Sequence, residues 1–99
     1  MGFGILKDVY SKTAEIGYWL GEPFWGRGIA TTALKETTAY AFAHFEIERL
    51  QAHVFEWNPA SARVLEKAGY TLEGRQRRHV FKDGRIGDAL LYARLRAAQ

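Results

Sequence analysis

Apolar and polar positions alternate along residues 14–20. Ala14, Ile16, Tyr18 and Leu20 share one face, and Glu15, Gly17 and Trp19 share the other. That period of two is the mark of a half-buried strand. Residues 3–9 read as a shorter strand before it, with a polar connection through residues 7–13. From residue 29 the period lengthens. Ala30, Ala33 with Leu34, Thr37, Ala41 and Phe45 recur at three- and four-residue intervals, while Lys35 and Glu36 fall off that line. The spacing predicts a one-sided helix over residues 29–45, laid on a sheet. Residues 49–57 alternate again, with Leu50, Ala52 and Val54 opposing Gln51, His53 and Phe55. A strand, a glycine turn, a helix and a strand in that order predict a right-handed parallel crossover.

The next helix is punctuated at both ends. Asn58 suits its N-cap, Pro59 the first helical position and Gly69 its C-terminal cap, with Val64, Leu65 and Ala68 on the buried side. Residues 70–81 and 86–95 read as strands. The Asp83 and Gly84 pair between them favours a tight hairpin. Neither a repeat nor a low-complexity stretch divides the chain, so residues 1–99 read as a single domain.

With 47% hydrophobic and 25% charged residues, the composition is that of an ordinary globular chain. The absence of cysteine excludes a disulfide framework, a thiolate metal site and a cysteine nucleophile. No metal site is expected. Neither a signal core nor a long apolar run is present, so no membrane partner is expected and the cytoplasm is the default location. The net charge of +3 is unevenly placed. Residues 1–50 hold five Lys/Arg against six Asp/Glu, whereas residues 51–99 hold nine against five. Arg75, Arg77, Arg78, Lys82 and Arg85 concentrate the excess around the hairpin. A solvated face explains this, and so does an anionic cofactor or acidic substrate nearby. Nucleic acid ranks below both, for want of a motif or interleaved aromatic residues.

Gly26 and Gly28 stand one residue apart at the start of the first long helix, after Pro23, Phe24 and Trp25. Paired glycines let consecutive amides converge, and a helix start adds unpaired N–H groups and partial positive charge. That makes a seat for an anion, most often phosphate. A structural glycine turn has the same sequence.

In combination, the strand AEIGYWL, the turn PFWGRGIAT, the long helix, the segment NPASARVLEKAGY and the closing hairpin carry more information. The chain resembles the GNAT superfamily, the acyl-coenzyme A-dependent N-acetyltransferases, and within it the ribosomal-protein N-terminal acetyltransferases. The resemblance implies an α/β (α+β) fold: a mixed, mostly antiparallel sheet with two helices. It also implies that the strand, two helices and strand that open the full fold are lacking here. A second copy is then expected to cover the sheet edge near residues 2–9, giving a homodimer with possibly exchanged elements.

By the same resemblance the amides around Trp25, Gly26, Arg27, Gly28, Ile29, Ala30 and Thr31 hold the pyrophosphate of acetyl-coenzyme A. Main-chain groups of Tyr18, Trp19 and Leu20 pair with its pantetheine arm, where two strands splay apart. Asn58 and Ser61 also face that arm. The family's phosphate loop usually opens on Gln or Arg, where this chain has Pro23, which leaves the amide cradle intact. Its usual proton-donating tyrosine, seven residues after the asparagine, is replaced by Leu65. Ser61 is the substitute donor.

The activity implied is transfer of an acetyl group from acetyl-coenzyme A to a primary amine, of a protein N-terminus or a small molecule. The alternative is a coenzyme A-binding or assembly module without turnover. An attacking amine must lose a proton, which calls for a base. Glu15 is the candidate; His53 and His79 have suitable intrinsic chemistry. Each of the three has a structural reading as well, as do Asn58 and Ser61 as helix caps.

Overall fold

The computed structural model describes residues 2–5, 12–17 and 27–97. Seven elements follow in chain order: β1 (Gly2–Ile5), β2 (Thr13–Gly17), α1 (Arg27–His44), β3 (Arg49–Phe55), α2 (Pro59–Lys67), β4 (Thr71–Lys82) and β5 (Arg85–Leu95). The strands form one sheet in the order β1-β2-β3-β5-β4. Only β2 and β3 run parallel, as the crossover through α1 requires; the other three pairings are antiparallel. β1 is an edge strand, as the sequence led us to expect.

Both helices cover one face. Ala14 and Ile16 of β2 and Leu50, Ala52 and Val54 of β3 join Leu34, Ala41, Val64 and Leu65 in a single buried cluster. These are the apolar positions of each alternating or helical pattern, driven together by removal of their surface from water. One helical position differs from expectation. Thr38, not Thr37, faces the core at 2% exposure, and Phe45 lies past the end of α1, exposed. Ala30, Leu34, Thr38 and Ala41 keep the true helical stagger, and a buried hydroxyl is tolerated because it finds a partner. Thr38 Oγ1 lies 2.7 Å from the Tyr70 hydroxyl.

The ends of α2 are built as the sequence indicates. Asn58 Oδ1 accepts from the Ser61 N–H at 3.3 Å, and Pro59 opens the helix. At the other end Gly69 takes φ +91°, a conformation that costs a side-chain-bearing residue. Its N–H donates to Glu66 O and the Tyr70 N–H donates to Leu65 O, the paired bonds of a Schellman motif. Leu65 and Tyr70, both buried, supply the apolar contact that accompanies it.

Two buried tyrosines give the fold an alkaline limit. Burial raises the Tyr70 hydroxyl above its ordinary value, the Thr38 hydrogen bond opposing. Burial, and then the Glu66 carboxylate that accepts its hydroxyl at 2.8 Å, pushes Tyr92 up to about 12. Groups raised on folding contribute stability below their unfolded value near 10, and that stability is lost as pH climbs through the folded value. The denaturation midpoint is therefore expected to be insensitive to these groups up to about pH 9 and to fall between about pH 10 and 12. A midpoint unchanged through that window would contradict the assignment.

Candidate functional site

The parallel ladder between β2 and β3 is short. Thr13 pairs with Arg49, Ala14 with Leu50 and Glu15 with Gln51, the full register among the described residues. Ile16 and Gly17 are still paired to β1, and β3 stays paired to β5 as far as Phe55. Beyond Glu15 and Gln51 the two neighbours thus part company among the described residues. Main-chain groups at such a fork need partners other than each other.

On the face away from the helices, the fork carries a polar chain. Glu15 accepts from Gln51 Nε2 at 2.8 Å through one carboxylate oxygen and from His53 Nδ1 at 2.8 Å through the other. Gln51 Oε1 accepts from Arg49 Nε at 3.1 Å, and Arg49 pairs with Glu73 at 2.7 Å. Glu15 and His53 keep about a third of their side-chain surface exposed, so the carboxylate is both oriented and reachable. Two bonds to one carboxylate fix its rotamer, as a proton-transfer group requires.

A bulge brings a second imidazole alongside. Gln76 pairs with Ala89 and Val80 with Gly87, leaving three residues of β4 opposite Asp88 alone. Arg78 within it takes φ 52°, and its N–H donates to Asp88 Oδ1 at 2.9 Å. That bond, with the Arg75 guanidinium, holds the Asp88 carboxyl below its ordinary value. Bulges re-aim side chains. Here the His79 ring stacks on His53, with centroids 5.9 Å apart.

Two helix starts carry the other candidate residues. Neither α1 nor α2 has an acidic residue in its first turn, so no side chain of their own neutralises the N-terminal charge. At the start of α1, Gly28 and Ile29 are exposed and Ala30 is buried. α1 begins two residues earlier than the periodicity indicated, which places Gly28 inside its first turn. Thr31 Oγ1 and Ser61 Oγ are buried without a hydrogen-bond partner among the described residues. A buried hydroxyl left unpaired costs free energy, and such atoms are uncommon in folded proteins. Ser61, at 1% exposure, is buried in the first turn of α2, with its N–H held by Asn58.

The structure thus brings together Glu15, His53 and His79 on the sheet, and places Gly28, Ile29, Ala30, Thr31, Asn58 and Ser61 on the two helix starts. Tyr18, Trp19, Leu20, Trp25 and Gly26 lie outside the described residues, as does the side chain of Arg27. The Gln51 and His53 bonds to Glu15 were not anticipated. Their signal was present: parallel register sets Glu15 beside Gln51, and alternation carries His53 to the same face. Among the described residues no cluster of three metal-ligating side chains occurs, and no helix is long and apolar enough to cross a membrane.

Residues 1–71 match the family model described as the acetyltransferase (GNAT) domain. A Bacillus subtilis protein whose name proposes a ribosomal N-acetyltransferase, YdaF, is 34% identical over 90% of this chain and 49% of its own length. The ribosomal-protein-serine acetyltransferase of Escherichia coli is 36% identical over 86% of this chain and 48% of its own. Among solved structures, the ribosomal alpha-N-protein acetyltransferase RimL in complex with coenzyme A superposes with a TM-score of 0.76. It is 33% identical, and the match covers 85% of this chain and 48% of that one. The chain spans about half the length of the curated relatives it matches.

Proposed function

The chain belongs to the GNAT acetyltransferase family, and on that premise we propose that it takes acetyl-coenzyme A into the β2/β3 fork and transfers the acetyl group to a primary amine. The observation that carries this reading is that, among the described residues, the β2/β3 ladder ends at Glu15 and Gln51, in a chain whose two helices carry no acidic residue in their first turns. An extended, amide-bearing thiol ester suits such a fork, and a diphosphate suits unpaired helix amides.

The residues present fit the group. First-turn amides of α1, from Arg27 through Ala30, are the proposed holders of the diphosphate, together with their sequence neighbours Trp25, Gly26 and Thr31. Main-chain groups of Tyr18, Trp19 and Leu20 are the proposed partners of the pantetheine arm on the β2 side, and Asn58 and Ser61 on the α2 side. Among the described residues the hydroxyls of Thr31 and Ser61 are buried without a hydrogen-bond partner, as is Gln76 Oε1 beside the β4 bulge. When bound, the thioester supplies an activated acetyl carbon.

In the proposed step the amine nitrogen bonds to that carbon, the carbon–sulfur bond breaks, and the sulfur leaves as thiolate. Glu15 accepts the amine proton, and Ser61 is the proposed donor toward the departing sulfur. A water molecule between Glu15 and the amine satisfies the same geometry, since a carboxylate can act through one water. Acceptors of both kinds, a protein N-terminus or a small-molecule amine, remain within the proposal.

Acetyl-coenzyme A is expected to raise the melting temperature, because a ligand selective for the folded state stabilises it by mass action. At a hundredfold excess over Kd the gain is about 2.7 kcal/mol. No shift at millimolar ligand would remove this reading. Release of coenzyme A thiol with an amine panel then separates a transferase from a module that binds without turnover.

A further inference from the structure

We propose that the end of β3 and the β4–β5 hairpin form an acceptor subsite for an anionic side chain, so that the amine acetylated is the N-terminus of a peptide with an acidic second or third residue. This rests on the transferase reading. Past His53 the same strand presents Phe55, and Trp57 follows, the two rings 5.3 Å apart. Lys82 Nζ sits 5.4 Å from the Phe55 centroid, and the Arg85 guanidinium 4.3 Å from that of Trp57. The platform is built rather than incidental: a β-carbon on Gly87 would lie 2.2 Å from the Trp57 ring, so the ring rests directly on the β5 backbone.

The two cations face each other in the β4–β5 register, Lys82 opposite Arg85. Like charges directly opposed across a ladder repel. Among the described residues neither has a carboxylate partner, although Asp83 stands in the turn between them. The other acids nearby are occupied: Asp88 and Glu56 both serve Arg75, and Glu56 also accepts from the Asp88 N–H. An incoming carboxylate would relieve the repulsion and find donors in a fixed fork on Arg85.

The distance selects the kind of acceptor. His53 and Phe55 are two strand positions apart on one face, roughly 7 Å. An anion held by the cations above those rings thus lies on the order of 7–10 Å from the Glu15–His53 pair. An extended peptide advances about 3.3–3.6 Å per residue. A side-chain carboxylate on the second or third residue reaches the cations, whereas the carboxylate of a free amino acid, two bonds from its own amine, does not.

The test compares kcat/KM for two peptides, one beginning Ser-Glu-Glu and one Ser-Ala-Ala, in the parent chain and in Lys82→Glu/Arg85→Glu. The parent is expected to favour the acidic peptide about three- to tenfold at low salt, the size that exposed ion pairs support. The double variant is expected to reverse that order. Direct calorimetric binding of both peptides is measured in parallel, and Lys82→Ala alone serves should the double variant fail to fold. Equal turnover of both peptides by the parent would overturn the subsite and leave acetyl transfer standing. Absent turnover, with the acidic peptide bound and released by charge reversal, would overturn the transferase reading and uphold the subsite. Steeply salt-dependent binding of mixed-sequence RNA at Lys82 and Arg85, with no peptide preference, would overturn the subsite in favour of nucleic acid.

Discussion

Glu15→Gln is expected to lower kcat/KM roughly 10²–10⁴-fold, the range that a positioned acid–base group contributes. Glutamine keeps the shape of the side chain and one oxygen able to accept from Gln51. It removes the charge that orients His53 and the lone pairs that take a proton. Glu15 is partly solvated and packs no apolar core, so the substitution should leave the fold intact. The melting temperature and the upward shift caused by acetyl-coenzyme A are expected to persist. That combination separates a proton acceptor from a structural glutamate. A variant turning over within a few-fold of the parent would remove Glu15 from the chemistry and move attention to His53 and His79.

Gly87→Ala is expected to give the largest loss of stability from a single added methyl group. Its β-carbon would sit 2.2 Å from Trp57 Cζ3 and 2.9 Å from Cε3, well inside van der Waals contact. Either the ring swings away, losing its contacts with Phe55 and Arg85, or β5 shifts. Overpacking of this kind costs about 1–3 kcal/mol. For a chain of this length each kcal/mol is worth about 4–8 °C, so a drop of roughly 5–20 °C is expected. Gly74→Ala is the control, since a β-carbon there meets nothing within 4 Å. Equal melting curves for both variants would show that Trp57 yields without cost and that the platform is soft. A fall confined to Gly87→Ala, with loss of preference for the acidic peptide, would tie the strand's bare backbone to acceptor choice.

The elements most legible in the sequence were those where a single physical signal sufficed. Alternation in residues 49–55 separated Leu50, Ala52 and Val54 from Gln51 and His53 correctly, because a strand with one buried face tolerates no slip of register. Asn58, Pro59 and Gly69 fixed both ends of α2 through local hydrogen-bonding rules that need no tertiary context. Helical phase in α1 was harder. Thr37 and Thr38 are alike by composition; the stagger of Ala30, Leu34 and Ala41 turns Thr38 inward, and the Tyr70 hydroxyl, 32 positions away, gives its buried oxygen a partner. The bulge at residues 77–79 left no signal either. It depends on Asp88 capturing the Arg78 N–H across the ladder, and arginine is not a residue one expects at positive φ. Resemblance supplied the family, which the GNAT domain match over residues 1–71 bears out. Of the candidate site, Glu15 was legible as a position and its company was not. The Gln51 and His53 bonds follow from register and alternation together, two steps that the pattern of either strand alone does not join.

The same bulge has a bearing on how copies of this chain behave when crowded. β4 is the longest strand among the described residues, at 12 residues, and lies at the border of the described sheet with one row of amides and carbonyls turned away from β5. A regular strand of that length would be a template on which further chains could stack into fibres. Three residues set against one break the repeat near its middle, and Arg77 and Arg78 put two charges where an incoming strand would have to lie flat. The device that delivers His79 to the fork therefore also interrupts the sheet's most extended template for growth.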